Sequence, residues 1–335
     1  MKTMKKFTAL RHAIIALLSL STNTALFAEE SQAAPGSTTT PQQTTPVQTT
    51  PTQNAKEYII PKPQASRIDA LKASLTIRRL DHQIQTLEAN GEPFLALYRL
   101  SLTSSTQGCI IMLHSDNEHP DWPDAIAPLR DAMPEHSWCT ISIEVPDIIK
   151  RAEPVKITTA TAENTSSPKE LPNQTLVFAR IQATMDYAKT QGIEQFTFLG
   201  YGTGASYALG FLAANKNAGK ALTLIDIESP PNLSDYEVAQ QIRQIEQPIL
   251  DYYVDKTGND QFAVWRKQAA NQRTDKVGDF IQVNALPDRV TGKNSKQLLI
   301  QRVRGFLKQN TNQINQLKSL PSVKKGLFYG SPIIN

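Results

Sequence analysis

Gly200-Tyr201-Gly202-Thr203-Gly204-Ala205 is the segment of this sequence best placed to organise chemistry. It follows the apolar run Phe196-Thr197-Phe198-Leu199 and leads into a helical pattern over residues 203–214. A strand, a sharp glycine turn and a helix form the setting of the G-x-S-x-G elbow, which projects a serine nucleophile. The flanking glycines allow the turn and let the helix approach the strand. The central residue here is Gly202, which has no side chain to offer. Glycine also relieves the strain that a serine stores at such a position.

The other parts of a serine-based site are sought in chain order. Asp255 closes the apolar run 250–254 and reads by itself as an ordinary strand-end carboxylate. The loop after the last strand, Asn284-Ala285-Leu286-Pro287-Asp288-Arg289, holds no histidine. The five histidines are His12, His82, His114, His119 and His136, all before the elbow. A serine hydroxyl without an adjacent base is a weak nucleophile at neutral pH. Ser206 lies a turn into the helix and is poorly placed as a substitute. No catalytic residue is therefore assigned.

What the turn retains is a set of backbone donors. N–H groups at the helix start, around Thr203 and Gly204, and one near Ser115 favour negative charge whether or not catalysis follows. The expected ligand site comprises His114, Ser115, Tyr201, Gly202, Thr203 and Gly204, with a carboxylate or similar group as ligand. A water-filled vestige is the alternative.

Two further patterns compete. His114-Ser115-Asp116-Asn117-Glu118-His119 carries metal-ligand residue types on a strand-end loop, but no later histidine completes a site, so no metal is expected. Its simpler reading is a polar loop, with Asp121 or Asp124 capping the next helix. Gly200-x-Gly202-x-x-Ala205, with Asp226 on the following strand, also fits a dinucleotide fingerprint. That turn opens a nucleotide-binding domain, whereas here it follows several strands, so no cofactor is expected. Trp122 and Trp138 read as packing residues.

The positioning elements follow from periodicity. Residues 67–80 read as a helix, and 84–88 and 94–100 as strands joined across Asn90-Gly91, a strong hairpin signal. Strands at 109–114, 138–145, 196–199, 222–227, 249–254 and 280–283 then alternate with helices at 124–133, 177–190, 203–214, 236–245, 261–271 and 296–307. Continuous apolar strands between helices predict an α/β fold: a mainly parallel sheet covered on both faces, entered through an antiparallel hairpin. Cys109 and Cys139 sit near the starts of two such strands. They form either a disulfide or two buried thiols.

Hairpin, alternation and elbow together resemble the α/β-hydrolase superfamily, a three-layer α/β sandwich, from about residue 82 to 307. More narrowly, the elbow and His119-Pro120-Asp121-Trp122-Pro123 resemble an uncharacterised proteobacterial envelope family of this fold. The Phe94-Leu95-Ala96-Leu97-Tyr98-Arg99 strand fits it too. The resemblance implies fold and location more than activity, and it places Asp255 at the superfamily's acid position, as a vestigial acid at most.

Residues 1–28 read as an export signal. Lys2, Lys5, Lys6 and Arg11 precede an apolar run at 13–20, and Ala25-Leu26-Phe27-Ala28 offers small residues for cleavage. Formal charge is +4, and loss of those four cations leaves the mature chain near neutral. That excludes a nucleic-acid footprint. No later run is long enough to cross a membrane. Residues 29–60 form a Thr/Pro/Gln-rich tether, 61–310 the folded domain with a polar insert at 151–175, and 311–335 a weakly ordered tail. The expectation is a periplasmic or secreted protein, binding or scaffolding, whose partner is an unknown envelope ligand or protein. A hydrolase (esterase or peptidase) with an atypical nucleophile is the alternative.

Overall fold

The computed structural model describes residues 62–148, 170–255, 258–274, 278–288, 290, 292 and 295–311. The chain divides into residues 1–57 and 58–335, and every described residue belongs to the second unit. The expected signal, the tether and all of the tail but Thr311 lie outside the described residues, as does the insert up to residue 169. No described helix is long and apolar enough to cross a membrane.

Eight strands form one sheet: β1 (Ile84–Ala89), β2 (Glu92–Arg99), β3 (Gly108–Leu113), β4 (Trp138–Ile143), β5 (Phe196–Tyr201), β6 (Leu222–Ile225), β7 (Ile249–Tyr253) and β8 (Phe280–Asn284). Their order is β1-β2-β4-β3-β5-β6-β7-β8. β2 runs antiparallel to both of its neighbours, and every other pairing is parallel. The hairpin turn is Asn90-Gly91, both at positive φ (52° and 79°), the geometry that matches the twist of the strands.

Helices α1 (Pro63–Ile77), α2 (Ile126–Ala132), α3 (Gln174–Thr190), α4 (Thr203–Ala214), α5 (Asp235–Gln241), α6 (Gln261–Asn271) and α7 (Lys296–Asn310) cover the sheet. Alternation along the strands decides which face each helix takes. Ile111 and Leu113 of β3 pack in one buried cluster with residues of α3, α4, α5 and α6. Ile110 and Met112 pack in another with α2 and α7. Leu95 and Leu97 of β2 meet Ile68, Leu71 and Leu75 of α1. The result is the α/β-hydrolase three-layer sandwich, with the elbow after the central strand β5.

α1 starts before the expected helix, since Pro63 is favourable in a first turn, where its missing N–H costs nothing. α2 is shorter than expected. Its N-cap is Ala125, without a side-chain cap, so neither Asp121 nor Asp124 has the capping role read from the sequence. Asp121 is occupied elsewhere, as described below.

Cys109 and Cys139 are register partners on β3 and β4, fully buried and joined as a disulfide across a Cα–Cα distance of 4.5 Å. Closing a loop over a sequence separation of 30 restricts the unfolded chain. Cys139→Ser is expected to lower stability by about 3–4 kcal/mol in urea titrations. A variant indistinguishable from the parent protein would show that the thiols are not linked in solution.

Candidate functional site: an elbow filled by its own neighbour

Gly202 sits between β5 and α4 at φ 56°, ψ −126°, a conformation that strains any residue with a side chain. The glycines on either side have steric reasons. A Cβ on Gly200 would stand 2.2 Å from the Cα of Ala205, and one on Gly204 would stand 2.4 Å from the carbonyl oxygens of Leu113 and His114. α4 therefore rests directly on the ends of β5 and β3. These two contacts keep the elbow sharp.

At Gly202 the obstacle is a side chain. A Cβ there would lie 2.3 Å from Ser115 Oγ, 2.7 Å from Ser115 Cβ and 3.4 Å from Glu228 Oε2. Ser115 thus fills the space in which a nucleophile would project. A tight turn after β3 delivers it. The Glu118 N–H donates to the Ser115 carbonyl at 3.3 Å, with Asn117 left-handed at φ 61°, a geometry asparagine tolerates well.

Two of the donors expected to meet an anion, the N–H groups of Thr203 and Ser115, are engaged within the chain. Thr203 N–H donates to Ser115 Oγ at 3.1 Å, and Ser115 N–H donates to the Glu118 carboxylate at 3.0 Å. The Thr203 hydroxyl accepts Asp116 N–H at 2.8 Å and lies 3.3 Å from the Ser115 hydroxyl. An incoming carboxylate at Ser115 N–H has to displace Glu118. The surroundings disfavour it as well. Burial, then Glu118, Asp124, Asp226 and Glu228, push the Tyr201 hydroxyl well above the usual tyrosine range. The crevice is acidic, contrary to the charge an anion site needs.

His114 is structural. Val145 N–H donates to its Nε2 at 3.0 Å, which leaves the ring proton on Nδ1 to be donated to the Ser115 carbonyl at 2.8 Å. The ring ties the end of β3 to the end of β4 and has no nitrogen left for a proton from Ser115. It is 1% exposed, and burial, aided by His119, Arg67 and Arg180, lowers its pKa to about 3. The unfolded chain takes up a proton near pH 6.5 that the folded chain refuses until about pH 3. Stability contributed by this group is complete above pH 6.5. It falls by up to about 1.4 kcal/mol for each pH unit lost down to about pH 3. Urea midpoints for His114→Gln are expected to show a shallower decline between pH 6.5 and 4 than those of the parent. Parallel declines would contradict the neutral buried ring.

The remaining members of the motif read as metal-like do not converge. Asp116 Oδ1 accepts Ile148 N–H at 2.7 Å, and His119 Nδ1 accepts Asp121 N–H at 3.2 Å. Among the described residues, no three His, Cys, Asp or Glu side chains are grouped to hold a metal. The dinucleotide reading meets a different obstacle. The glycine turn follows β5 of a hydrolase-type sheet instead of its first strand, and Asp226 Oδ1 accepts Val254 N–H at 2.9 Å. Asp255 caps its own turn by accepting Gly258 N–H at 2.8 Å. Ser206 donates its hydroxyl to the Glu228 carbonyl at 2.7 Å, from the buried side of α4.

Two arginines that no local pattern singles out hold this arrangement. Arg67 of α1 donates to the Glu118 carbonyl (2.8 Å), Asn117 Oδ1 (3.1 Å) and Asp147 Oδ1 (2.5 Å), clamping the loops after β3 and β4. Arg130 of α2 is fully buried. It donates to Asp121 Oδ1 at 3.1 and 2.6 Å and to Gln83 Oε1, while Arg78 reaches Asp121 Oδ2 at 3.1 Å. Within the His119–Pro123 stretch, Asp121 is therefore a buried ionic joint. Trp122 stacks edge-on against His119, with ring centroids 5.3 Å apart.

Residues 11–309 match the family described as Protein of unknown function (DUF3530). The chain belongs to that family. Comparison with curated proteins finds no match. Solved structures similar to it include Est1E from Butyrivibrio proteoclasticus, at 12% identity and TM-score 0.48, covering 68% of this chain and 98% of that one. A dienelactone hydrolase from Anabaena variabilis is 13% identical at TM-score 0.48, covering 69% and 100%. A soluble variant of monoglyceride lipase from Saccharomyces cerevisiae is 10% identical at TM-score 0.47, covering 67% and 93%. Strand order and the elbow, more than these likenesses, define the fold.

Proposed function

We propose that this protein is a non-catalytic binding or scaffolding protein of the cell envelope, using an α/β-hydrolase fold whose catalytic centre is closed. One observation carries the reading. Ser115 occupies the volume above Gly202 and accepts the Thr203 N–H, so nucleophile space and one oxyanion donor are consumed together. A site of this kind works only when donors point at an open position where charge develops. Envelope location rests on the basic-then-apolar start and the Thr/Pro/Gln-rich segment after it.

A second reading has one observation in its favour. The Ser115 hydroxyl stands close to where an elbow nucleophile would stand, which makes it the candidate for an atypical hydrolase. Its weakness is the base, since both nitrogens of His114 are bonded to backbone. A fluorophosphonate probe separates the two. The binding reading expects no labelling of the full-length protein at any pH from 6 to 9. Labelling that disappears in Ser115→Ala would establish the hydrolase and end the non-catalytic proposal.

A further inference from the structure

Away from the elbow, two cavities of about 380 and 390 Å³ lie along α6 and β8. They share Lys267, Asn271 and Gln282 and so form one elongated groove at the outer end of the sheet. Each falls within the range of small-ligand clefts.

A buried ion pair stiffens its wall. Arg266 Nε donates to Asp251 Oδ2 at 2.8 Å, with the two side chains 1% and 0% exposed. Burial drives the Asp251 carboxyl above the usual range, Arg266 opposes this, and Asp251 Oδ1 has no hydrogen-bond partner among the described residues. Apolar residues of equal volume are often as stable as such a pair or more so. Its use here is positional. The Gln282 amide donates to Asp251 Oδ2 and to the Ala263 carbonyl, both at 2.9 Å, so its orientation is fixed at the point common to both cavities. Asp260 is held as the α6 N-cap by Ala263 N–H at 3.0 Å. Polar groups immobilised before a ligand arrives lose less freedom on binding.

The lining then selects the ligand. Gln268 and Asn271 are exposed carboxamides, each presenting a donor and an acceptor on one plane, and Gln282, its N–H groups already committed, adds an acceptor oxygen. Hydroxyl groups have the same dual character. Along the one groove Asp255, Asp260 and Asp279 face Lys267 and Arg273, three acids against two cations, so the charge is nearly balanced and neither strong cations nor strong anions are selected. Polar and apolar atoms are mixed along the whole lining, so a lipid tail would strand polar groups. We infer that the α6–β8 groove is a saccharide-binding site for a neutral polyhydroxylated chain of more than one ring. This goes beyond the closed elbow and does not depend on it, because the two sites share no residue.

The test is an NMR titration of the full-length protein with the tetrasaccharides of β-linked N-acetylglucosamine, β-linked glucose and α-linked glucose, and with a neutral extended octapeptide. The expected result is saturable shifts of the Gln268, Asn271 and Gln282 side-chain amides with at least one saccharide, below about 10 mM. Gln268 and Asn271 are exposed, so Gln268→Ala/Asn271→Ala is expected to fold normally while weakening binding about tenfold. The inference fails if no saccharide gives saturable shifts. It fails equally if only the octapeptide does, or if the double variant binds as tightly as the parent.

Discussion

Gly202→Ser is expected to destabilise the protein by roughly 3–5 kcal/mol and to create no esterase activity. The cost has two sources. A residue other than glycine is strained at φ 56°, and its Cβ meets Ser115 Oγ at 2.3 Å. The second source is removable. Ser115→Gly in the same chain is expected to recover at least about half the loss, leaving the backbone strain. Urea denaturation of the two single variants and the double variant measures this coupling. Simple additivity of the two costs would show that Ser115 does not occupy the elbow. Turnover of p-nitrophenyl acetate by the double variant is expected to stay at the rate of the blank, because His114 remains bonded to Ser115 and Val145 backbone and offers no base.

Asp121→Ala is expected to cost about 3–5 kcal/mol, comparable to losing a large core side chain. It leaves the Arg130 guanidinium fully buried, without the carboxylate that receives two of its N–H groups. The penalty belongs more to the poorly compensated charge, left with Gln83 Oε1 and with Asp131 Oδ1 at 3.6 Å, than to the lost bonds. Replacing both partners, as in Asp121→Ala/Arg130→Met, is therefore expected to be less damaging than Asp121→Ala alone. The order of urea midpoints decides between this and a plain packing role, in which the double variant is the worst. It also separates a structural His119–Pro123 stretch from a functional one.

Most of the architecture was legible because it depends on local periodicity. Asn90-Gly91 between two apolar runs specifies the hairpin through the positive φ that these residues tolerate. The continuous apolar strands announce burial on both faces, and the glycine pattern at 200–204 announces close contact between a strand and a helix. Helix starts were read less well. α2 lacks the side-chain cap that Asp121 or Asp124 was expected to provide, since Asp121 is drawn to Arg130 nine residues along. A buried cation outbids a helix terminus for a carboxylate.

The proximity of the candidate residues was legible and the state of their donors was not. His114, Ser115, Tyr201, Gly202 and Thr203 do lie around one crevice, as strand ends of a parallel sheet require. The engagement of the Thr203 and Ser115 donors was not legible, because a sequence shows that N–H groups exist and not which acceptors reach them. Glu118 reaches Ser115 by a three-residue turn, and Arg67 holds that loop from 51 positions away.

By itself the sequence determined that no histidine follows the elbow and that its central residue is glycine, facts that need no coordinates. Only the tertiary structure decided why glycine is required. Ser115 and residue 202 are separated by the whole of β4 and α3 along the chain, yet compete for one side-chain volume once β3 and β5 pair. Interiors are packed too densely for two side chains to share such a space, so the vacancy at Gly202 is the room that Ser115 occupies.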